Sequence, residues 1–204
     1  MTGPCDRRDF LKRGMMLASA MWLGVPPLLR AEEEDTDRLR GHLDFLPPGL
    51  KIMYRSEWAK VAPDRARMHV ADDFARITVH HVGAFTSQRI AREEIIADLQ
   101  GIQAGHITRR YGDIAYHFAV DYAGRVWEAR PLAFEGSHVA SANGENLGIC
   151  LLGNFELQKP SAEQLVSLQQ LVSGLREYYS IDTDDVYGHC DLGPSACPGK
   201  NLYP

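Results

Sequence analysis

The sequence predicts an α/β fold, with a mixed, mostly central β-sheet flanked by helices. Residues 77–81 form a short β-branched stretch, as in a buried strand. Residues 114–120 and 125–129 flank an Asp-Tyr-Ala-Gly turn, which is typical of a β-hairpin. Two longer stretches, 88–105 and the one that follows Ser161, repeat apolar residues at helical spacing. Because strands alternate with helices while the hairpin is antiparallel, we expect a mixed sheet.

The elements in the first half of the domain are a strand, a helix and the hairpin. Ile95, Leu99 and Ile102 recur three or four residues apart and predict one apolar helical face. In the hairpin that follows, Gly124 is placed to supply the turn. An apolar run at residues 147–152 predicts a further buried strand.

The second half begins with a helix whose start is marked by a capping box, Ser161-Ala-Glu-Gln164. Behind it, one face of the helix is expected to be apolar. That face consists of Leu165, Leu168, Val172, Leu175 and Tyr179. A last short strand is expected at residues 186–189.

Composition places the 204-residue chain among soluble globular proteins, since 45% of its residues are hydrophobic and 24% are charged. The net charge of −5 supplies no basic surface of the kind that binds nucleic acid. Four cysteines are too few for a disulfide scaffold.

The N-terminus has the layout of an export signal. Arg7-Arg8 precedes an uncharged stretch at residues 14–29, which is shorter than the ~20 residues of a membrane-spanning helix. Paired arginines followed by Phe-Leu-Lys resemble a twin-arginine signal, an address read by the twin-arginine export machinery rather than a membrane anchor. Asp6 departs from that pattern, and an amphipathic surface helix is the alternative. The chain is therefore expected to be periplasmic or extracellular.

Three segments follow from this interpretation. A signal peptide is expected at residues 1–31, with cleavage near Ala31. An acidic stretch that ends in Pro-Pro-Gly predicts a linker at residues 32–54. The remaining residues, 55–204, are expected to form one domain.

The residues with the clearest potential for chemistry are His80, His189 and Cys197. Gly193-Pro194 can turn the chain so that the ends of the loop from 189 to 197 meet. Two imidazoles and one thiolate suit zinc, and three protein ligands leave a fourth position for water.

Neighbouring residues compete for this site. On a strand, consecutive side chains point to opposite faces, so only one of His80 and His81 can face a metal, and only one of His189 and Cys190. Spacing alone does not choose between them. The alternatives are a hydrogen-bonded histidine in the core or on the surface, and a cysteine that is simply a small buried residue.

Several blocks of sequence resemble, in order, the zinc-dependent N-acetylmuramoyl-L-alanine amidases, the family that includes phage lysozyme-type amidases and peptidoglycan-recognition proteins. The resemblance runs from Arg55 to the C-terminus. The blocks are residues 55–58, 78–81, 114–118, 124–130, 136–138, 147–153 and 188–199.

The resemblance implies hydrolysis of the amide between N-acetylmuramic acid and L-alanine in peptidoglycan or muropeptides. One Zn²⁺ would lie at the floor of a surface groove. By position, the family's metal ligands fall on His80, His189 and Cys197, and the catalytic tyrosine falls on Tyr116. His138 matches a histidine that lines the substrate groove in relatives, the alternative being a surface histidine on a loop.

Two hydroxyl groups are candidates for catalysis. The Tyr116 hydroxyl could stabilise the oxyanion, although a core tyrosine is the alternative reading. Ser195 stands where active relatives often carry Lys or Thr, and a serine can donate only a neutral hydrogen bond. Either Tyr116 or Ser195 with a water could protonate the leaving amine. Ser195 also leaves open a rival function, a zinc-containing module that recognises peptidoglycan without turnover.

The remaining cysteines are assigned structural positions. Cys150 lies in an apolar strand and is expected in the core, while Cys190 is expected to point away from the metal. A disulfide between them stays open, because export leads to an oxidising compartment. A purely structural zinc site is disfavoured because only three ligands converge.

Overall fold

The computed structural model describes residues 43–84 and 88–203, so the expected signal peptide lies outside the described residues. Within them, six strands form one sheet. The strands are β1 (Ile52–Met53), β2 (Arg76–His81), β3 (Phe118–Val120), β4 (Val126–Glu128), β5 (Asn146–Leu151) and β6 (Val186–Gly188). The helices are α1 (Arg92–Thr108), α2 (Ala162–Tyr179) and a single turn, α3 (His189–Leu192).

The sheet has the order β1-β4-β3-β5-β2-β6. Strands β3 and β4 pair antiparallel and the other neighbouring strands pair parallel. The mixed α/β fold predicted from the sequence is therefore confirmed. Gly124 lies in the hairpin turn with φ of +75°, and a Cβ there would come within 2.8 Å of the Glu163 carbonyl oxygen. Glycine is thus required both by the turn and by the close approach of the chain after Ser161.

Both faces of the sheet are covered, as expected for a largely parallel sheet. On the face that carries His80, the buried hydrophobic residues are Trp58, Ile95, Leu99, Ile114, Ala119, Trp127, Ala129 and Leu152. On the opposite face, strand residues such as Ile77, Leu147 and Ile149 pack with Leu171 and Leu175 of α2. Helix α1 therefore lies on the His80 face and α2 on the other.

Helix α1 is displaced along the chain from the predicted range of 88–105. It begins at Arg92, with Glu93 and Glu94 in its first turn, where carboxylates stabilise the N-terminal end of the helix dipole. It ends at Thr108. Its buried residues are Ile95, Leu99, Gln103 and His106, and Ile102 is partly buried against the same cluster, so the apolar spacing identified the packed face and missed its polar members Gln103 and His106.

Helix α2 begins as predicted. The Ser161 hydroxyl accepts a hydrogen bond from the Gln164 amide, and the Gln164 side chain accepts one from the Ser161 amide. The predicted apolar face is wrong at Leu165, which is 44% exposed. The helix instead buries Gln164 and Ser167. The Gln164 side chain donates to two backbone carbonyls, one in β3 and one just after β5, and the Ser167 hydroxyl donates to the Gly124 carbonyl in the hairpin turn.

Part of the expected linker belongs to the domain. Leu43, Leu46 and Leu50 are buried in the core on the α2 side, and residues 52–53 form the edge strand β1. Pro47 packs so closely on α2 that a Cβ at Gly174 would lie 2.6 Å from its ring. The Pro-Pro-Gly sequence thus makes a turn against the helix rather than a linker.

No helix within residues 43–84 and 88–203 combines the length and the apolar character that crossing a membrane requires.

Candidate metal centre and groove

Strand β2 separates the two neighbouring histidines, as its alternation requires. His80 is buried on the face covered by α1. The His81 ring lies on the other face, where its Nδ1 accepts a hydrogen bond of 3.1 Å from the Phe155 amide. The structure therefore brings His80, and not the His81 imidazole, to the candidate site.

Three side chains from distant parts of the sequence converge there. Donor atoms of His80, His189 and Cys197 all lie within 4.8 Å of one another. Cys197 Sγ is 3.6 Å from His80 Nδ1. Burial lowers the pKa of His80 and of His189, so both imidazoles are neutral at pH 7, as metal ligation requires. This donor set fits zinc, which prefers nitrogen and sulfur in a tetrahedral arrangement.

His189 reaches the site in a way that the sequence did not predict. Strand β6 ends at Gly188, and His189 is the first residue of α3 rather than the last of a strand. The turn forms because the Gly188 amide donates to the Asp191 carboxylate at 2.7 Å. Helical geometry, not strand alternation, directs Cys190 away, and that thiol is exposed.

The loop after α3 closes as predicted. The Cys190 amide donates to the Cys197 carbonyl at 2.8 Å, which brings the two ends of the loop together. The backbone amide of His81 donates to Cys197 Sγ at 3.3 Å. Burial raises the pKa of the Cys197 thiol to about 11, and the His81 amide opposes that rise. A bound cation would deprotonate the thiol.

Ser195 supports the position of Cys197. Its hydroxyl oxygen accepts a hydrogen bond of 3.1 Å from the Cys197 amide. The hydroxyl proton remains able to donate elsewhere. Ser195 is thus part of the turn that presents the thiol, in addition to the catalytic role expected from the sequence.

The structure corrects the expected position of His138. The sequence placed it in the substrate groove or on a surface loop, whereas its side chain is buried behind His80. Its Nδ1 lies 2.9 Å from His80 Nε2, and its own Nε2 lies 3.1 Å from the Asn146 carbonyl oxygen. The loop that carries it folds inward because the Asn143 side chain accepts from the amides of both His138 and Val139.

Tyr116 lies next to the three donors, with its ring centroid 5.1 Å from that of His80. Burial raises the pKa of Tyr116 well above 10.0, and the nearby Cys150 and Cys197 thiols add to the effect. The hydroxyl is therefore protonated and able to donate at neutral pH. Arg130 fixes this segment, because its backbone amide donates to the Tyr116 carbonyl and its guanidinium to the Ile114 carbonyl, both at 2.9 Å.

A surface groove of about 390 Å³ begins at Tyr116 and runs along α1. The wall formed by α1 and the residue that caps its C-terminal end includes Gly101, Gly105 and Arg109, which recur every four residues. The sequence analysis missed these three residues and Arg130. The spacing of the two glycines within a helix is a signal that could have revealed an open helical face.

Cys150 and Cys190 are free thiols in the structure. Cys150 is buried, as the sequence predicted, and Cys190 is exposed. Burial raises the pKa of Cys150 well above 9.0, so this thiol is protonated and behaves as a core residue beside Tyr116.

Comparison with known proteins gives consistent similarities. The sequence model of the N-acetylmuramoyl-L-alanine amidase family matches residues 71–200. Peptidoglycan-recognition protein SC2 of Drosophila melanogaster is 29% identical over 158 residues, which cover 76% of this chain and 84% of that protein.

Two solved structures extend the comparison. In the crystal structure of tracheal cytotoxin bound to the ectodomains of peptidoglycan recognition proteins LCa and LCx, one chain is 28% identical, with a TM-score of 0.67 over 76% of this chain and 93% of that one. The endolysin LysCS of Clostridium intestinale, an N-acetylmuramoyl-L-alanine amidase, is 26% identical, with a TM-score of 0.61 over 74% of this chain and 88% of that one.

Proposed function

Because the chain belongs to the N-acetylmuramoyl-L-alanine amidase family, we propose that it hydrolyses the amide between N-acetylmuramic acid and L-alanine. The substrate is peptidoglycan or a soluble muropeptide, and the reaction depends on one Zn²⁺ held by His80, His189 and Cys197. The observation that carries the proposal is the convergence of these three donors beside Tyr116, where the groove along α1 begins.

Zinc bound by three protein ligands would activate a water molecule and polarise the scissile carbonyl. The protein's own residues prepare the site for this. The neutral imidazoles of His80 and His189 offer lone pairs, and the His81 amide stabilises negative charge on the Cys197 sulfur. His80 is buried, which excludes solvent from one side of the site and strengthens the electrostatic interactions there.

Tyr116 is the proposed oxyanion donor. Its hydroxyl is protonated, and its ring lies against His80, next to where the scissile carbonyl must be held. Proton delivery to the leaving amine is assigned to one of two hydroxyls. Tyr116 is one, and Ser195 is the other, since its oxygen already accepts from Cys197 and its proton is left to donate through a water.

The groove is the proposed binding site for glycan and stem peptide. Relatives of this chain are named peptidoglycan-recognition proteins, and LysCS is named an amidase. The proposed location is the periplasm or the extracellular space, reached through the twin-arginine machinery by way of residues 1–31. The uncharged stretch within that segment is shorter than the ~20 residues that a membrane-spanning helix needs.

A second candidate function is recognition of peptidoglycan without turnover. It is favoured by Ser195, which carries no positive charge to stabilise the oxyanion, and by the recognition-protein names of the relatives. Both functions require the same groove and the same three donors.

The test is incubation of the zinc-loaded mature chain with defined muropeptides, with product identification by mass spectrometry. The proposal expects free peptides that begin with L-alanine, no product after chelation, and recovery when Zn²⁺ is returned. If the chain binds zinc and binds muropeptides but leaves them intact, the proposed hydrolysis is overturned and recognition without turnover is supported.

A further inference from the structure

Both ring nitrogens of His80 lie close to a polar side chain. While Nδ1 faces Cys197, Nε2 lies 2.9 Å from His138 Nδ1. The opposite nitrogen of His138 lies 3.1 Å from the Asn146 carbonyl oxygen. The three groups form a continuous chain of hydrogen bonds that ends at the candidate metal centre.

Only one arrangement of protons satisfies this chain. A backbone carbonyl can only accept, so the hydrogen of a neutral His138 must be on Nε2. His138 Nδ1 then carries a lone pair and must accept from His80 Nε2. His80 is left with a bare lone pair on Nδ1, the atom that faces Cys197. His138 is buried between His80 and His117, where a charged imidazole would be costly, so the neutral form applies.

We infer that His138 is a positioning residue, which fixes the tautomer and the ring orientation of His80 so that Nδ1 is presented to zinc. Histidines that bind metals commonly donate their other nitrogen to such a partner, and loss of the partner typically costs about 10–100-fold in metal affinity. The inference rests on the proposed function. It assigns His138 a role behind the metal ligand, in place of the contact with substrate that the sequence analysis expected.

The slot that holds His138 is built for an imidazole. A Cβ at Gly136 would lie 2.2 Å from His138 Cδ2, and a Cβ at Gly148 would lie 2.5 Å from the same atom. The backbone of both glycines therefore packs directly on the ring. Any side chain at either position would displace His138 and with it the hydrogen bond to His80.

The acceptor at the far end of the chain is also fixed. The Asn146 side chain accepts from the Thr78 hydroxyl at 2.8 Å and donates to the Ala142 carbonyl at 2.7 Å. Thr78 lies two residues before His80 on β2. The carbonyl that orients His138 is thus tied to the same strand that carries the metal-binding histidine.

Two substitutions separate the positioning role from packing. In His138→Asn, the amide oxygen can lie near the position of Nδ1 and accept from His80. In His138→Phe, the ring fills the slot but accepts nothing. The readouts are Zn²⁺ affinity by competition with a chromophoric chelator, the visible spectrum of the Co²⁺ form, and the melting temperature of the metal-free protein.

We expect His138→Phe to weaken zinc binding about 10–100-fold and to alter the Co²⁺ spectrum, while His138→Asn stays within a few-fold of the wild type. His106→Phe is the matched control. His106 is another buried histidine, whose Nδ1 accepts from the Ala115 amide, and its ring contacts Tyr111 and Tyr116 rather than the three donors. This control should lower the melting temperature and leave zinc affinity unchanged.

Wild-type zinc affinity in His138→Phe would overturn the inference while leaving the proposed function standing. Equal losses of zinc affinity in His138→Phe and His138→Asn, with unaltered Co²⁺ spectra, would also overturn it. That result would show that His138 affects zinc binding only through its packing. A wild-type chain that binds neither Zn²⁺ nor Co²⁺ would overturn both the inference and the proposed function.

Discussion

Among single residues, Tyr116 carries the most specific catalytic proposal. Replacement by phenylalanine removes the hydroxyl and keeps the ring that packs beside His80. Loss of one oxyanion donor typically costs about 3–4 kcal/mol, so kcat on muropeptides should fall about 10²–10³-fold. KM and zinc content should stay near the wild-type values, which steady-state kinetics and elemental analysis would check.

Tyr179→Phe is a control for loss of a partly buried tyrosine hydroxyl away from the site. Tyr179 packs on Phe45 and Phe74 at the α2 side of the sheet, and burial raises the pKa of its hydroxyl above the usual value, so this hydroxyl stays protonated at neutral pH. Equal activity of the two variants would show that the Tyr116 hydroxyl has no catalytic role.

At this scale, residues whose position depends on local geometry could be predicted. Strand alternation allowed only one histidine of the His80 pair to reach the site, and the Gly-Pro turn allowed the loop ends to meet. His138 could not be placed correctly. Its environment is created by two glycines and an asparagine carbonyl that only the folded loop brings together.

At the scale of elements, the open face of α1 leads to a prediction about the groove. Gly101 and Gly105 line it, and a Cβ at either would meet no atom within 4 Å. Replacing a helical glycine with alanine typically stabilises a protein by about 1 kcal/mol. Gly105→Ala should therefore raise the melting temperature by a few degrees, while raising KM because the groove becomes narrower.

The matched control is Ser173→Ala, an exposed position on α2, on the opposite face of the sheet from the groove. It should stabilise the helix and leave KM unchanged. An unchanged KM in Gly105→Ala, together with higher stability, would mean that substrate does not contact this part of α1.

The segment before residue 55 gives a second prediction for elements. A chain that begins at Arg55 loses three buried leucines, at positions 43, 46 and 50, and the edge strand β1. Compared with a chain that begins at Leu43, it should be less stable by about 3 kcal/mol or more, since each buried leucine contributes about 1.5–3 kcal/mol before the entropy of ordering is subtracted. Denaturant unfolding of both chains measures the difference, and equal stability would show that residues 43–54 behave as the linker predicted from the sequence.

Helix α2 shows why the elements could be predicted better than their faces. The capping box located its start, because that signal is local. Hydrophobicity correctly placed the later residues of the face against the core, but it could not identify Gln164 and Ser167, which are buried through hydrogen bonds to the hairpin and to the Leu152 carbonyl just after β5. Those acceptors come from distant parts of the chain.

For the whole molecule, buried neutral histidines make stability depend on pH. Burial lowers the pKa of His106 from 6.5 to about 4 in the folded protein. Its contribution is fully present above pH 6.5 and is lost as the pH falls toward 4, because only the unfolded chain takes up the proton in that range. For this single group the loss reaches about 3 kcal/mol.

Urea unfolding of the metal-free protein between pH 7 and 4 would measure this effect. His106→Asn should be less stable at pH 7 and should lose less stability as the pH falls, since one titrating group is gone. The same pH dependence in both proteins would show that His106 is not protonated preferentially on unfolding.

The most direct test of the account is the zinc content of the purified chain after exposure to Zn²⁺ and removal of the excess. We predict one zinc per chain in the wild type and none in Cys197→Ala or His189→Ala, with circular dichroism confirming that both variants are folded. A wild-type chain that retains no zinc, or variants that retain a full equivalent, would contradict the metal centre on which the proposed hydrolysis depends.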